Sequence, residues 1–381
     1  MVGAAEDRGT RLPGAPSVME APPGPKTVID GRPCLYFGGT GYFGLHGRPE
    51  LRQAGLRAWE RFGLSSATSR LATPLQVEIE RTAARFFAAE DAAYLASGYL
   101  TNTAGVQALS EDGAFDAVFI DQHAHYCVRD AAATAGVPVH TFNHLDPGDL
   151  SRRLARELRP GETPLVMTDG LFPLFGRLAP VPDYLEALAP YDGILWLDDA
   201  HPMGILGDHG RGTCEHFNVA VGATGGVRVF AGGTLSKAFG GFGGILPGPA
   251  ELIARVRQGE VRIAASPPPT PVAAASLEGL RLVMENPQWR VRLHENARRL
   301  KAGLRGLGLE VEPTEVPVAA FVLDTPARMR DVHRRLLDRG IAIQYTRYPG
   351  VGEAGALRTV VFSTHTAEQI ERLIAELARL L

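Results

Sequence analysis

Between residues 48 and 277, short apolar runs bounded by turn residues alternate with segments of helical periodicity, and no other feature of this 381-residue chain restricts its fold as much. "AAYLAS", "DAVFID", "PVHTFN", "PLVMTD", "GILWLDD" and "VRVFAGG" are brief and β-rich, while "PELRQAGLRAWERFG" and "QVEIERTAARFF" carry apolar residues at helical spacing. Strand, crossover helix and strand in repeated succession predict an α/β fold with a large, mostly parallel sheet covered by helices, because each parallel connection needs a crossover that buries its apolar face on the sheet. The run "ASPPPTPV" (265–272) interrupts the alternation. The C-terminal remainder, including "VPVAAFVLD", "RDVHRRLLDRG", "IAIQYTR", "LRTVVFST" and "AEQIERLIAELARLL", predicts a smaller α+β domain. The expected plan is a flexible Gly/Pro/Ala-rich tail over 1–26, a segment over 27–47 packing with the small domain, a large domain over 48–270 and the small domain over 271–381.

Composition narrows the partners. Hydrophobic residues make up 45% and charged residues 21% of the chain, ordinary globular usage, and a net charge of −3 gives no electrostatic reason for nucleic acid or an anionic membrane as partner. A small molecule fits better. No apolar run reaches the ~18 residues of a membrane span, and the N-terminus lacks an export signal. The cysteines, Cys34, Cys127 and Cys214, are far apart and form no CxxC pair, so a cytoplasmic location is expected.

In open α/β sheets the ligand sits at the carboxyl ends of the strands, and the chemistry-bearing residues of this chain fall there. "AAYLASGY" ends in Ser97, Gly98 and Tyr99; "AVFIDQHAH" in Asp121, with His123 and His125 beyond; "GILWLDDAH" in Asp198, Asp199 and His201; and "VRVFAGGTLSK" in Thr234, Ser236 and Lys237. Lys237 lies in "GGTLSKAFGGFGG", the lone charge of that glycine-rich stretch. Together these types suit pyridoxal 5′-phosphate. A lysine of lowered pKa can form a Schiff base with an aldehyde, and Asp198 can hold a pyridine nitrogen protonated. Amides at a helix start, Gly98 and Tyr99, with the Thr234 hydroxyl, can bind a phosphate, and His125 can cover a ring face. Each element alone is ordinary, since strand-ending aspartates are commonly helix caps. A divalent-metal reading of Asp198, Asp199, His201, Asp208 and His209 has no HExxH spacing and leaves Lys237 unexplained.

"LDDAHPMGILGDHGRGTCEHF" followed by "GTLSKAFGGFGG" resembles the α-oxoamine synthase family of fold-type I pyridoxal-phosphate enzymes, and the similarity runs from "IDGRPCLYF" to "STHTAEQIERL". The resemblance implies that Lys237 holds the cofactor covalently, Asp198 pairs with the pyridine nitrogen, His201 contacts the phenolic oxygen and His125 stacks on the ring. It implies a cofactor shell of Ser97, Gly98, Tyr99, Asp169, Thr234 and Ser236 as well. Arg358 in "GALRTVV" matches the arginine that grips the amino acid carboxylate, and Thr40 stands beside it. It further implies a homodimer in which Ser266 or Thr270 reaches the neighbouring subunit's phosphate, and a decarboxylating condensation of an amino acid with an acyl thioester, on coenzyme A or a carrier protein.

The substrate side departs from the family pattern. Thr40 replaces an Asn, the stretch "TSRLATPLQVEIE" is shortened and carries Gln76 near the place of a His, and "DGLFPLFGR" brings Asp169, Pro173, Phe175 and Arg177 in place of Glu, Ser and two acids. Pro202 and Met203 replace a Ser-Thr pair, and Ala356 an Arg. Phe175 and Met203 are expected to add apolar bulk to the substrate pocket. The alternatives kept open are another reaction of a cofactor-held amino acid, such as aldol-type bond formation, racemisation or transamination, and a noncatalytic partner subunit. Retention of Lys237, Asp198 and Arg358 argues against the latter.

Overall fold

A computed structural model describes residues 17–64, 71–347, 350–351 and 354–381. The chain opens with a hairpin, β1 (Lys26–Ile29) and β2 (Arg32–Tyr36), then helices α1 (Pro49–Phe62) and α2 (Pro74–Phe87). Strand and helix next alternate through β3 (Asp91–Leu95), α3 (Gly98–Ser110), β4 (Ala117–Asp121), α4 (Tyr126–Ala133), β5 (Val139–Phe142), α5 (Pro147–Glu157) and β6 (Pro164–Asp169). A small hairpin, β7 (Leu171–Phe172) and β8 (Arg177–Leu178), leads to α6 (Val181–Leu188), β9 (Ile194–Asp198), α7 (Thr213–His216), β10 (Arg228–Thr234) and β11 (Gly244–Gly248). Helices α8 (Ala250–Gln258), α9 (Glu260–Ala264), α10 (Thr270–Glu285) and α11 (Gln288–Gly306) come next. The C-terminal part is β12 (Val318–Phe321), α12 (Pro326–Asp338), β13 (Ile341–Ala342), β14 (Gln344–Thr346), β15 (Ala356–Val360) and α13 (Ala367–Ala378).

The central sheet has the order β3-β11-β10-β9-β6-β4-β5. Its strands from β5 to β10 pair in parallel, and β11 runs antiparallel to both neighbours. The two-residue period of the strands sorts their side chains. Val118, Ile120, Leu165, Met167, Ile194, Trp196 and Phe230 join one core with α3, α4 and α8, while Phe119, Val166, Leu195, Leu197 and Val229 join another with α5 and α6. Trp196 is fully buried, and replacing it with alanine would cost about 3–5 kcal/mol through lost burial and a residual cavity.

Strand β11 was not anticipated from sequence. "GILPG" has no strand signal, since glycine and proline weaken strands, but Pro247 sits in the ladder opposite Ala92. The tail expected over 1–26 lies outside the described residues as far as 16. Beyond that it is tied down: Glu20 N–H donates to Val28 O at 2.9 Å and Asp30 N–H to Val18 O at 2.9 Å. Leu35 and Phe37 share a core with α11, α12, α13 and the sheet β12-β15-β14. Helix α10, at the start of the expected C-terminal domain, packs its Ala273, Leu277 and Leu280 with Leu51 and Phe86 of α1 and α2. Among the described residues no helix is long and apolar enough to cross a membrane.

Candidate active site

Strands β3, β6, β9 and β10 deliver their carboxyl ends to one rim, where a cavity of about 310 Å³ is lined by Ser97, Gly98, His125, Asp169, Asp198 and Lys237. Tyr99, His201, Thr234 and Ser236 also line it. A second cavity of about 260 Å³, lined by Thr40, Gln344, Thr346 and Arg358, shares His125, Pro173, His201 and Lys237 with the first. Lys237 thus stands where the two meet.

One end of the first cavity is built from α3 and β10. Ser97 caps α3, its Oγ accepting from Leu100 N–H at 3.3 Å, and the first helical residues, Gly98 and Tyr99, line the cavity. A Cβ on Gly98 would lie 2.6 Å from Cβ of Thr234, so only glycine lets this helix start reach the strand end. Thr234 Oγ1 lies 2.8 Å from Ser236 Oγ and donates to Gly243 O at 2.9 Å. Of the glycines after Lys237, Gly243 lines the cavity, whereas Gly240 is required by packing. Gly240 has φ +65°, and a Cβ there would come within 2.5 Å of Leu45.

Asp198 is held by donors on both oxygens. Oδ2 accepts from Asn102 Nδ2 at 2.8 Å and Cys127 Sγ at 3.2 Å, and Oδ1 accepts from Ala200 N–H at 2.9 Å. Asn102 in turn accepts from Trp196 Nε1 at 2.8 Å, so the core fixes the carboxylate's orientation. Asp169 is its register partner on β6. Burial and the charge of Asp198 push the Asp169 carboxyl well above the usual range, and its Oδ2 is buried with no hydrogen-bond partner among the described residues. Its Oδ1 accepts from His125 N–H at 3.2 Å. Burial lowers the Lys237 pKa, against the pull of Asp198 and Asp169. Burial also lowers His125, and drives His201 well below its usual value with help from Lys237 and Arg358. Both imidazoles are neutral near pH 7.

Arg358, on β15, reaches the second cavity and is only 7% exposed. Its Nε donates to Pro173 O at 2.8 Å, and Nη1 donates to Gln344 Oε1 at 2.5 Å and Gly39 O at 3.3 Å. Thr40 and Pro173 line the same space. Phe175 and Met203 do not, contrary to expectation. Met203 is buried in the core beside Phe239, and Phe175 packs with Leu174, Ala320 and Ala356 under the Arg177 guanidinium, 5.4 Å from its ring. Gln76 is also elsewhere, closing a capping box with Thr73 at the start of α2. The stretch over 65–70, including part of the shortened loop, lies outside the described residues. Ser266 is exposed and Thr270 donates its hydroxyl to Gly63 O, so neither enters the cavity of its own chain. The five-residue metal set is not assembled: His209 Nδ1 lies 2.6 Å from Glu215 Oε1. The one cluster of potential metal ligands among the described residues is His125, Cys127 and Asp198, inside the Lys237 cavity.

Sequence reasoning missed Asn102, Cys127, Tyr42 and Gln344. Asn102 lies one turn after Gly98 on the same helix face, and Cys127 two residues after His125, so both had a local signal. Tyr42 and Gln344 arrive from distant segments, for which local spacing carries none.

The donor set fits pyridoxal phosphate: a buried amine of depressed pKa, a fixed carboxylate, and hydroxyls beside a helix N-terminus on the same cavity wall. The sequence pattern of the aminotransferase class I and II family matches residues 42–377. An 8-amino-7-oxononanoate synthase of Methylococcus capsulatus is 35% identical over 368 residues, covering 95% of this chain and 92% of that one. Another, from Symbiobacterium thermophilum, is 32% identical over 366 residues with the same coverage, 95% and 92%. Serine palmitoyltransferase from S. paucimobilis, solved with a bound PLP–myriocin aldimine, superposes with a TM-score of 0.87 at 26% identity, covering 96% of this chain and 92% of that one. An 8-amino-7-oxononanoate synthase from Francisella tularensis shares the fold, with a TM-score of 0.75 at 21% identity over 91% of this chain and 97% of that one. By sequence along nearly its whole length and by fold, this chain belongs to the aminotransferase class I and II family and, within it, to the α-oxoamine synthases.

Proposed function

We propose that the chain uses pyridoxal phosphate to condense an amino acid with an acyl thioester, giving an α-aminoketone, carbon dioxide and a free thiol. The observation that carries this reading is the joining of two cavities at Lys237, one lined by Asp198, Ser97, Thr234 and Ser236 and the other by Arg358. The names of the relatives agree with it.

When bound, pyridoxal phosphate supplies an electron sink for the pair left at the amino acid Cα. Lys237 is the amine that would hold it, and burial, by disfavouring its charged form, favours the neutral amine that would take the α-proton. Asp198 would keep the ring nitrogen protonated, His125 would cover the ring face and His201 would meet the phenolic oxygen. Ser97, Thr234 and Ser236, with the amides of Gly98 and Tyr99, would hold the phosphate. Arg358 binds the substrate carboxylate by its planar fork, with Thr40 beside it. In the net reaction a carbon–carbon bond forms at the thioester carbonyl, the carbon–sulfur bond breaks with release of the thiol, and the substrate carboxylate departs as carbon dioxide.

The same reading makes the active unit a homodimer in the cytoplasm. Tyr99 and Phe242, both lining the cavity, are 43% and 46% exposed, and Tyr126 beside His125 is 53% exposed, a large aromatic area for a second chain to cover. The cysteines are all free thiols. Sedimentation should give about twice the chain mass, and a fully active monomer would contradict the dimer. The site assignment is tested by borohydride reduction of the yellow holoenzyme followed by peptide mapping. The label should fall on Lys237, and a label on another lysine would overturn the assignment.

A further inference from the structure

Tyr42 has no part in the proposed mechanism, although its side chain is fully buried against the cavity wall. Its hydroxyl lies 2.6 Å from Nδ1 of His201, and no other partner of that hydroxyl occurs among the described residues. A buried hydroxyl proton with no acceptor is costly, so the single Tyr42 proton belongs on the line to Nδ1. Nδ1 is then an acceptor. A neutral imidazole has one proton, and that proton must sit on Nε2, the ring nitrogen that Tyr42 does not engage. Proton transfer does not compete near neutral pH. Burial holds the Tyr42 hydroxyl up at about 12, while burial and the charges of Lys237, Arg358 and His125 keep His201 well below its usual value.

We propose that Tyr42 is a positioning residue that locks His201 as its Nε2–H tautomer, so that the cavity meets a bound oxyanion with a hydrogen-bond donor instead of a lone pair. The proposed function enters only in naming that oxyanion, the phenolate oxygen of the cofactor; the tautomer is a property of the protein alone. The locking residue comes from the segment between β2 and α1, and its own carbonyl accepts from Ser363 N–H at 2.8 Å. The polarity of one cavity wall is thereby set by how the N-terminal segment docks.

The test begins with cofactor-free protein labelled with ¹⁵N-histidine. His201 should show a protonated Nε2 and an Nδ1 correlated with the Tyr42 hydroxyl proton. A protonated Nδ1, or no such correlation, would overturn the proposal whatever reaction the enzyme catalyses. Tyr42→Phe removes only the hydroxyl. In that variant, shown folded by its melting curve, His201 should populate both tautomers. In the loaded variant the pH midpoint of the visible absorption should rise by about one unit, because the deprotonated form, with more charge on the oxygen, loses its donor. The amino acid KM should stay within about twofold while kcat falls about tenfold, the equivalent of one pKa unit. A pure Nε2–H tautomer with an unmoved midpoint in Tyr42→Phe would refute the role of Tyr42. Absence of thioester condensation would refute only the proposed reaction.

Discussion

Replacing Arg358 by lysine separates the two cavities. In the wild type its guanidinium spans acceptors from three segments, Pro173 O, Gly39 O and Gln344 Oε1, at 2.8, 3.3 and 2.5 Å. A lysine ammonium is compact and cannot reproduce that planar spread, so at least one buried acceptor loses its donor at a cost of about 1–3 kcal/mol to stability. Toward the substrate the change replaces a two-pronged carboxylate contact by a point charge. Loss of one charge-assisted hydrogen bond of about 1.5–3 kcal/mol raises the amino acid KM roughly 10- to 150-fold. Cofactor affinity should hardly move, because Arg358 lies outside the cavity lined by Ser97, Thr234 and Ser236. The assay pairs a spectroscopic titration of cofactor-free Arg358→Lys with steady-state kinetics over amino acid concentration. An unchanged KM, or a cofactor affinity that falls as far as KM rises, would refute the division of labour between the cavities.

Asp198→Asn should depress turnover far more than cofactor affinity, since a neutral amide cannot keep the ring nitrogen protonated. Whichever way the amide turns, its NH₂ faces a donor, Asn102 Nδ2 or Ala200 N–H, so chemical denaturation of the cofactor-free variant should show a loss of about 1–3 kcal/mol, less whatever relief of repulsion with Asp169 returns. Asp199 has its pKa raised to about 7 by burial, so its folded state binds a proton more tightly than the unfolded chain. That contribution favours folding below the unfolded carboxyl value and is lost as pH rises to about 7. Asp199→Asn should therefore raise the melting temperature at pH 8 more than at pH 5, and an equal effect at both would contradict the shift. Lys237→Ala should abolish covalent attachment yet retain cofactor held by the phosphate-side contacts, as dialysis and absorption would show.

How much of this could be read from sequence depended on the range of the signal. The parallel strands were short apolar runs with flanking turns, and Ser97, Asp198 and Lys237 at their carboxyl ends were legible because strand ends converge in an α/β sheet, while Asp169 came from the family resemblance alone. Strand β11 was hidden because glycine and Pro247 contradict local strand preference, and only pairing on both sides explains it. The supports of the site were harder. Tyr42 and His201 lie 159 residues apart, and Arg358 meets the Pro173 carbonyl across 185 residues. Such contacts are set by tertiary packing, which leaves no period in the chain. The same limit misplaced Met203: it comes two residues after His201, but the turn there drives it into the core instead of the substrate space.

A decarboxylating condensation at Lys237 is tested most directly by measuring carbon dioxide and free thiol together as a panel of amino acids is mixed with acyl-coenzyme A donors. The two products should be released one to one with an aminoketone for at least one pair, and neither should come from Lys237→Ala. Thr40 and Pro173, which line the second cavity, are expected to disfavour the ordinary glycine, alanine and serine pairs, because a polar substrate group left without its partner is strongly discriminated against. Loaded enzyme that exchanges the α-proton of an amino acid, yet releases no thiol with any donor, would contradict the condensation.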